Sequence, residues 1–223
     1  MINIGNLTLT HKPIIVVPFK DSDVTVVNNV HIIELRIDMF KNMTSIHNTF
    51  TTAKSKYGLP IIATFRAPYE GGLRIVSEEE RFYTITNIID ICDAVDIEIN
   101  APIAKQTIDI THEYKKTSIA SFHNFNSTPD IKELEHTFSK GKALGAQIIK
   151  IAVMPNNSAD LRTITAFTIN HCNDDIVTIA MGKLGRASRI LLHQIGSLFT
   201  FAAIDTVSAP GQMSVDELNK FFI

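Results

Sequence analysis

A lysine inside an apolar segment is the residue of this sequence best suited to covalent chemistry. Lys150 lies in segment 147–154, and side-chain alternation in a strand places it on one face with Ile148, Ala152 and Met154. Burial disfavours the ammonium, and a pKa lowered by about three from its ordinary value of about 10.4 leaves a useful fraction of neutral amine at pH 7. A neutral amine attacks carbonyl carbon and forms a Schiff base. The pattern predicts such chemistry at Lys150, unless the side chain lies on the outer face or reaches past the strand end into water.

His123 ends the preceding apolar run, which begins at Ser118. Histidine titrates near neutrality, so it can relay protons while a substrate is held by the lysine of the next run. We therefore predict that His123 is a general acid and base. The other seven histidines form no i, i+4 pair and no carboxylate-bearing metal motif, so no metal site is expected.

Charged residues also end two earlier runs. Alternation places Glu34, Arg36 and Asp38 on one face, and Arg66 is followed closely by Glu70. A buried arginine is costly unless it lies among carboxylates or faces an anionic substrate. Substrate contacts and structural ion pairs both fit this pattern.

Asp96 and Glu98 share a face at the end of another run. We expect these two carboxylates to pack in a lower layer or to orient neighbouring residues. We do not expect them to react.

Two late loops have the composition of anion-binding loops. Residues 181–186 and 208–212 contain glycines, and each loop follows one of the last two apolar runs. Backbone N–H groups and helix starts at such positions often bind anions. Arg189 adds a planar guanidinium for a carboxylate or phosphate.

Eight short apolar runs, rich in β-branched residues, are separated by segments with helical signals. Most are apolar at consecutive positions, which is typical of parallel strands covered on both faces. The runs are 14–19, 32–37, 61–65, 95–99, 118–122, 148–154, 176–180 and 198–204. The alternation predicts an α/β fold, a single-domain (β/α)₈ TIM barrel over residues 1–223, although counting alone leaves an open doubly wound sheet possible. Active sites of such barrels lie at the C-terminal ends of the strands.

Helix starts are predicted at three places between the runs. Ser77 precedes three glutamates, Pro129 stands at the first helical position before Asp130, and Ser158 precedes Ala159 and an aspartate. Residues 186–196 and 214–222 complete the predicted helices.

Composition bounds the class of protein. The chain has 223 residues, 45% apolar and 20% charged, and a formal net charge of −2, which indicates a large core and no nucleic-acid surface. The start carries no signal-peptide pattern and no apolar run has membrane length, so we expect a cytoplasmic protein without a membrane partner. Cys92 and Cys172 are far apart, and we expect buried structural thiols.

Five motifs give the sequence a recognisable pattern over nearly its whole length. The chain resembles the type I 3-dehydroquinate dehydratases, Schiff-base enzymes of the shikimate pathway. The motifs that carry the resemblance are ELRID at 34–38, TFRAPYEGG at 64–72, SFHNF at 121–125, KIAVMP at 150–155 and SAPGQ at 208–212.

The resemblance implies a role for each matching residue. Lys150 matches the imine-forming lysine, His123 the proton-shuttling histidine, and Glu70 a carboxylate that assists this histidine. The substrate-holding positions that it implies are Glu34, Arg36, Arg66, Arg189, Ser208 and Gln212. It further implies 3-dehydroquinate as the substrate, no cofactor and a homodimer.

Two positions depart from the family pattern. Pro18 stands where many relatives have a serine near the end of the first strand, so it removes a hydroxyl contact. Asn124 stands where many relatives have aspartate, which removes a charge beside His123.

Two other functions fit part of the pattern. A class I aldolase-type barrel also uses a strand lysine, but it cleaves a carbon–carbon bond, usually in a phosphorylated sugar. A non-catalytic barrel would bind a small anion or a protein partner, which the co-occurrence of Lys150, His123 and Glu70 disfavours.

Overall fold

The computed structural model describes residues 1–10, 13–20, 28–204 and 209–222. Its strands are Asn3–Ile4 (β1), Leu7–Thr8 (β2), Ile15–Phe19 (β3), Ile32–Arg36 (β4), Ile61–Thr64 (β5), Ala94–Glu98 (β6), Thr117–Asn124 (β7), Ile148–Val153 (β8), Ile176–Ala180 (β9), Thr200–Ala203 (β10) and Met213–Ser214 (β11). Its α-helices are Ile46–Tyr57 (α1), Glu78–Thr86 (α2), Ala104–Glu113 (α3), Ile131–Ala143 (α4), Ser158–Asn170 (α5), Gly182–Gly185 (α6), Ser188–Gln194 (α7) and Val215–Asn219 (α8). Short 3₁₀ helices cover Ile37–Met39, Met43–Ser45 and Pro68–Glu70.

The eight predicted strands are confirmed as β3 to β10, and they form a parallel TIM-barrel-like sheet. Neighbours pair in the order β11-β10-β3-β4-β5-β6-β7-β8-β9. In the described chain, β9 and β10 share no ladder; we call the junction between them the β9–β10 seam. The Leu198 N–H donates to the Ile176 carbonyl at 2.8 Å at its lower end. Above this bond, the Thr178 N–H donates to Ser197 Oγ at 3.0 Å, so side chains replace the backbone ladder.

Apolar side chains form two separate layers. One layer lies between the strands and the helices and includes Ile33, Leu35 and Phe50. The other fills the barrel interior and includes Ile148 and Val177. This division follows from side-chain alternation, since successive strand residues point to opposite faces.

The inward residues change character along the strands from β4 to β8. Close to the strand starts they are apolar, and nearer the strand ends they are polar or charged. The apolar members are Ile32, Ile62, Ala94, Ile119 and Ile148. The polar members are Glu34 and Arg36 in β4, Thr64 in β5, Arg66 just after it, Asp96 and Glu98 in β6, Ser121 and His123 in β7, and Lys150 in β8. The C-terminal half of the barrel interior is therefore polar on the side of β4 to β8, whereas Ile179, Met181 and Phe201 keep the opposite side apolar.

Helix caps confirm two of the three predicted starts and correct the third. Ser77 caps α2 by accepting from the Glu80 N–H, as predicted. The prediction that Pro129 occupies the first helical position is wrong, because Asp130 is the N-cap of α4 and Pro129 precedes it. The start at Ser158 is confirmed, with Asn157 as the capping residue.

The structure adds elements that the sequence pattern did not predict. The β1–β2 hairpin is antiparallel, and Ile4 belongs to the apolar layer of the barrel interior. The predicted helix 186–196 corresponds to α7, which is shorter, and the unpredicted α6 precedes it, separated from α7 by Arg186 and Ala187. The described helices include none that is both long and apolar enough to cross a membrane.

The prediction for the cysteines is half right. Cys92 is buried, and burial raises the pKa of its thiol to about 12. Cys172 is exposed and lies in the turn that follows α5.

Candidate active site

A cavity with about 110 Å³ of space for solvent opens at the C-terminal ends of the strands. Most of the predicted site residues line it. The predicted members are Glu34, Arg36, Arg66, Glu70, His123, Lys150, Arg189 and Gln212. A larger depression of about 820 Å³ lies at the opposite end of the barrel, beside the hairpin and residues such as Lys115 and Gln147. That depression is a shallow polar surface, so the candidate site is the smaller cavity.

Lys150 lies inside the barrel, as its alternation pattern predicted. Only 4% of the residue is exposed. Its Nζ is 2.9 Å from Asp96 Oδ2 and 3.7 Å from Glu34 Oε1. The Phe201 ring covers the same nitrogen, with its centroid 4.3 Å away. Two carboxylates and an aromatic face thus fix the amine at the floor of the cavity.

Arg66 lies beside Asp96 and joins it to Glu98. Its Nη2 is 2.6 Å from Asp96 Oδ1, and its Nη1 donates at 2.8 Å to Glu98 Oε1 and to Ser121 Oγ. Burial alone would raise the pKa of Asp96, but Arg66 and Lys150 outweigh it and hold that pKa well below its ordinary value. Burial would likewise lower the pKa of Arg66, and Asp96 and Glu98 reverse the shift. Both terminal nitrogens of the predicted substrate-binding Arg66 therefore have protein partners.

His123 is held by Glu70 through two hydrogen bonds to one oxygen. Glu70 Oε2 accepts from the His123 backbone N–H at 2.9 Å and lies 2.9 Å from Nδ1 of the ring. An oxygen that already accepts from the backbone is well placed to accept from Nδ1–H, and this tautomer leaves the lone pair on Nε2.

Burial moves the pKa of both partners toward their neutral forms. Desolvation raises the pKa of Glu70 to about 8, against the opposing effect of Arg66. Desolvation lowers the pKa of His123 well below its ordinary value, and Arg66 and Lys150 lower it further. The imidazole is therefore a base at neutral pH, held in place by a carboxyl group.

Asp38 and Glu34 make further contacts beside the cavity. Asp38 accepts two hydrogen bonds from the Arg36 guanidinium, both at 2.8 Å, and a third from the Leu73 N–H at 3.1 Å. Glu34 accepts from Thr64 Oγ1 at 2.9 Å. Asp38 thus joins Arg36 to the loop that follows β5.

Among the residues that the structure describes, the hydrogen-bond partners of the Arg189 side chain are backbone carbonyls. Its Nε is 2.9 Å from the Gly211 oxygen, and its two terminal nitrogens lie 3.2 Å from those of Phe201 and Pro210. Among the cavity arginines, in the part of the chain that the structure describes, it alone pairs with no carboxylate. Burial and the charge of Arg186 lower the pKa of Arg189 to about 10. A buried cation in this position favours an anionic ligand.

The remaining predicted positions have different locations. Gln212 donates to the Ala202 carbonyl at 3.3 Å. Ser208 lies outside the described residues. Pro18 is in β3, in register with Glu34. Asn124 accepts from the backbone N–H groups of 126 and 127, both at 3.0 Å, so it organises the loop after β7.

Sequence reasoning missed two residues of the site. Ser121 donates to Asp96 at 2.6 Å and is in register with Lys150, and Phe201 covers the amine. A small hydroxyl and an aromatic ring are ordinary strand residues, so neither gave a signal. Asp96 was expected to pack in a lower layer or to orient neighbouring residues, and its direct contact with Lys150 was not predicted.

The described residues contain no group of three or more His, Cys, Asp or Glu side chains that could hold a metal ion. The cavity instead offers an amine, an imidazole and a guanidinium. Together these groups can form an imine, transfer a proton and bind an anion.

Comparisons with known proteins point to one family. The family model of type I 3-dehydroquinase matches residues 21–222. A 3-dehydroquinate dehydratase from Thermodesulfovibrio yellowstonii is 38% identical over 224 residues, 97% of each chain. One from Methanococcoides burtonii is 34% identical, over 99% of this chain and 97% of the relative. A crystal structure of type I 3-dehydroquinate dehydratase from Clostridium difficile, with covalently modified comenic acid, superimposes with a TM-score of 0.91 at 28% identity, over 99% of this chain and 96% of that one.

Proposed function

Because the chain belongs to the type I 3-dehydroquinase family, a family of hydro-lyases, we propose that it dehydrates 3-dehydroquinate through an imine formed on Lys150. The family assignment excludes the aldolase-type and non-catalytic alternatives. The finer proposal concerns how the residues of the cavity carry out the dehydration.

The observation that carries the proposal is the meeting of three groups in one cavity. The Lys150 amine lies at the floor, the His123 imidazole is held by Glu70, and the Arg189 guanidinium pairs with no carboxylate of the described chain. A ketone with an acidic neighbouring C–H and a carboxylate elsewhere in the molecule matches all three groups. The Clostridium difficile structure contains covalently modified comenic acid, which supports covalent chemistry in this family.

The reaction begins when the neutral Lys150 amine adds to the ring ketone. The adduct loses water and becomes a protonated imine, which withdraws electrons from the adjacent carbon. His123 Nε2 removes a proton from that carbon and leaves an enamine. The enamine then expels the neighbouring hydroxyl group, to which His123 returns the proton, so that it leaves as water. Hydrolysis of the product imine consumes one water and restores the amine, and the net change is the loss of one water.

The other cavity residues bind the substrate in this proposal. Arg189 binds the carboxylate, since a planar guanidinium can donate two parallel hydrogen bonds. Glu34, Arg36 and Gln212 bind hydroxyl groups at the rim, and Ser208 is assigned the same role from the motif alone. Arg66 acts from the floor by holding Asp96 beside Lys150.

Trapping of the imine tests the proposal. The protein is incubated with 3-dehydroquinate, reduced with borohydride and digested, and the adduct is located by peptide mass spectrometry. We expect the added mass on the peptide that contains Lys150. We expect no added mass in Lys150→Met, whose side chain has a similar length but lacks the nitrogen. A folded wild-type protein that turns over substrate without a reducible adduct on Lys150 would refute the imine.

His123→Ala separates proton transfer from imine formation. We expect this variant to accumulate a trapped adduct while its turnover falls by about 100- to 10,000-fold, the usual contribution of general acid–base catalysis. Near-normal turnover would remove His123 from its assigned role.

The homodimer that the resemblance implies stays a prediction, which light scattering of the purified protein tests.

A further inference from the structure

A continuous series of ion pairs connects the surface of α2 to the nitrogen of Lys150. Acidic and basic side chains alternate along it, and we call it the ion-pair chain. Its members, from surface to cavity, are Glu78, Arg81, Glu98, Arg66, Asp96 and Lys150.

Arg81 is the outermost buried member of the ion-pair chain. Its side chain is 1% exposed, whereas that of Glu78 is 30% exposed. Its Nη1 is 2.7 Å from Glu78 Oε1, and its Nη2 contacts Glu98 Oε2. Its Nε and Nη2 also donate to the Phe65 carbonyl at 3.1 and 2.7 Å. Arg81 does not line the cavity, so a role in the reaction must act through other residues.

Each inner member of the ion-pair chain uses different atoms for its two neighbours. Glu98 gives Oε2 to Arg81 and Oε1 to Arg66, and Asp96 gives Oδ1 to Arg66 and Oδ2 to Lys150. Arg66 likewise gives Nη1 to Glu98 and Nη2 to Asp96. A change at one end therefore alters the balance of charge and the orientation of every following pair, and the buried setting weakens screening by solvent.

The geometry points to Arg81 as a positioning residue of the reaction, which orients Lys150 and sets its electrostatic environment through the ion-pair chain. The inference rests on the proposed function, since it assumes that Lys150 is the reacting amine. Without Arg81, Glu98 has both oxygens available to Arg66. Arg66 then turns toward Glu98, and Asp96 keeps Lys150 as its main cationic partner.

The expected effect has a definite sign. The groups facing Lys150 are Asp96 and Glu34, with Arg66 and His123 nearby, and none of them is changed directly. Removal of a positive charge favours the proton-bound form of the site. Activity that requires loss of a proton must then appear at higher pH.

The test is the pH profile of kcat/KM in three variants. Arg81→Gln removes the charge. We expect the acidic limb of the profile, where kcat/KM falls at low pH, to move to higher pH by about half to one unit, the size of couplings between residues of one network. Arg81→Lys keeps the charge, and its limb should move much less than that of Arg81→Gln. Glu78→Gln removes the partly exposed negative end, and its limb should move downward by about a quarter of a unit.

Lys105→Gln is the matched control. Lys105 pairs with Asp109 on α3, is largely exposed and lies outside the ion-pair chain, so its loss should leave the limb in place. The titratable groups around Arg81 are Glu78, Glu98 and Tyr69.

The outcomes separate this inference from the proposed function. Opposite shifts in Arg81→Gln and Glu78→Gln support it, and a folded Arg81→Gln that loses activity equally at every pH overturns it. If Arg81→Gln does not fold, Glu78→Gln decides, because an unmoved limb there overturns the inference. Borohydride trapping on wild-type Lys150 is measured in parallel, so absence of the adduct would count against the imine and not against Arg81 alone.

Discussion

Replacement of Glu70 tests whether this residue acts by holding His123 or by supplying a negative charge. Burial raises the pKa of Glu70 to about 8, so the group is largely a neutral acid at pH 7. Glutamine has the same shape and is neutral. Its amide oxygen can occupy the position of Oε2 and accept from both the backbone N–H and Nδ1–H of His123.

The magnitude follows from the two hydrogen bonds that Glu70 accepts. Glu70→Ala leaves the buried Nδ1–H of His123 without this acceptor, which costs about 1 to 3 kcal/mol and releases the ring from its productive orientation. We expect Glu70→Ala to lose about 5- to 150-fold in kcat at pH 7. Glu70→Gln keeps the contact geometry, and we expect it to lose less than about tenfold.

The assay is steady-state dehydration of 3-dehydroquinate by both variants between pH 5 and 10, with imine trapping at the same pH values. The trapped fraction reports that Lys150 still reacts, so a loss of kcat can be attributed to proton transfer. Equal losses in Glu70→Gln and Glu70→Ala at pH 7 would refute the reasoning, because they would mean that ionised Glu70 is required and that orientation alone is insufficient.

Three further predictions follow from burial and close contacts. Arg189→Met should lower kcat/KM by about 30-fold or more, because a buried anion loses its charged partner, and an unchanged KM would contradict this assignment. Burial raises the pKa of Glu70 from its ordinary value of 4.5 to about 8 in the folded protein, so the free energy of unfolding falls as the pH rises through this interval. The melting temperature of Glu70→Gln relative to wild type should therefore increase between pH 5 and 9, by about 2 to 4 °C for each kcal/mol of stability that wild type loses. A melting-temperature difference that stays constant with pH would refute the raised pKa. Gly72→Ala should cost about 2 to 3 kcal/mol in chemical denaturation, because its Cβ would lie 2.0 Å from the Arg66 carbonyl oxygen, whereas Gly58→Ala meets open space at φ +64 and should cost only about 1 kcal/mol. Equal losses in the two alanine variants would contradict the steric argument.

The strand positions could be predicted because a strand that is buried on both faces has apolar residues at consecutive positions. Each of the eight apolar runs coincides with a strand to within a few residues, as 148–154 does with β8. The β1–β2 hairpin gave no comparable mark, since its strands have two residues each. Pro129 was misplaced because proline suits positions just before a helix as well as its first turn, and only the contact of Asp130 with the Glu133 N–H identifies the cap.

The site was predictable where alternation along one strand decides the outcome. The inward direction of Lys150 is such a case. The partners of Arg66 depend on register between β5, β6 and β7, which no single strand encodes, so its enclosure by Asp96 and Glu98 could not be read from the sequence. Arg189 is similar, because its carbonyl partners lie up to 22 residues away, in β10 and in the loop after it, whose path depends on the whole barrel.

The β9–β10 seam has a consequence for how the barrel exchanges its amide hydrogens. Strands joined by a ladder protect their amides until the wall opens, whereas side chains such as Ser197 can release a neighbouring amide by a rotation. Arg189 spans the region by donating to the Phe201 carbonyl. An anion bound to Arg189 would restrain this part of the wall, so deuterium uptake in β9 and β10 should slow on binding while β6 and β7 change little. The strands whose amides are least protected from exchange would thus be the ones whose exchange reports anion binding at Arg189.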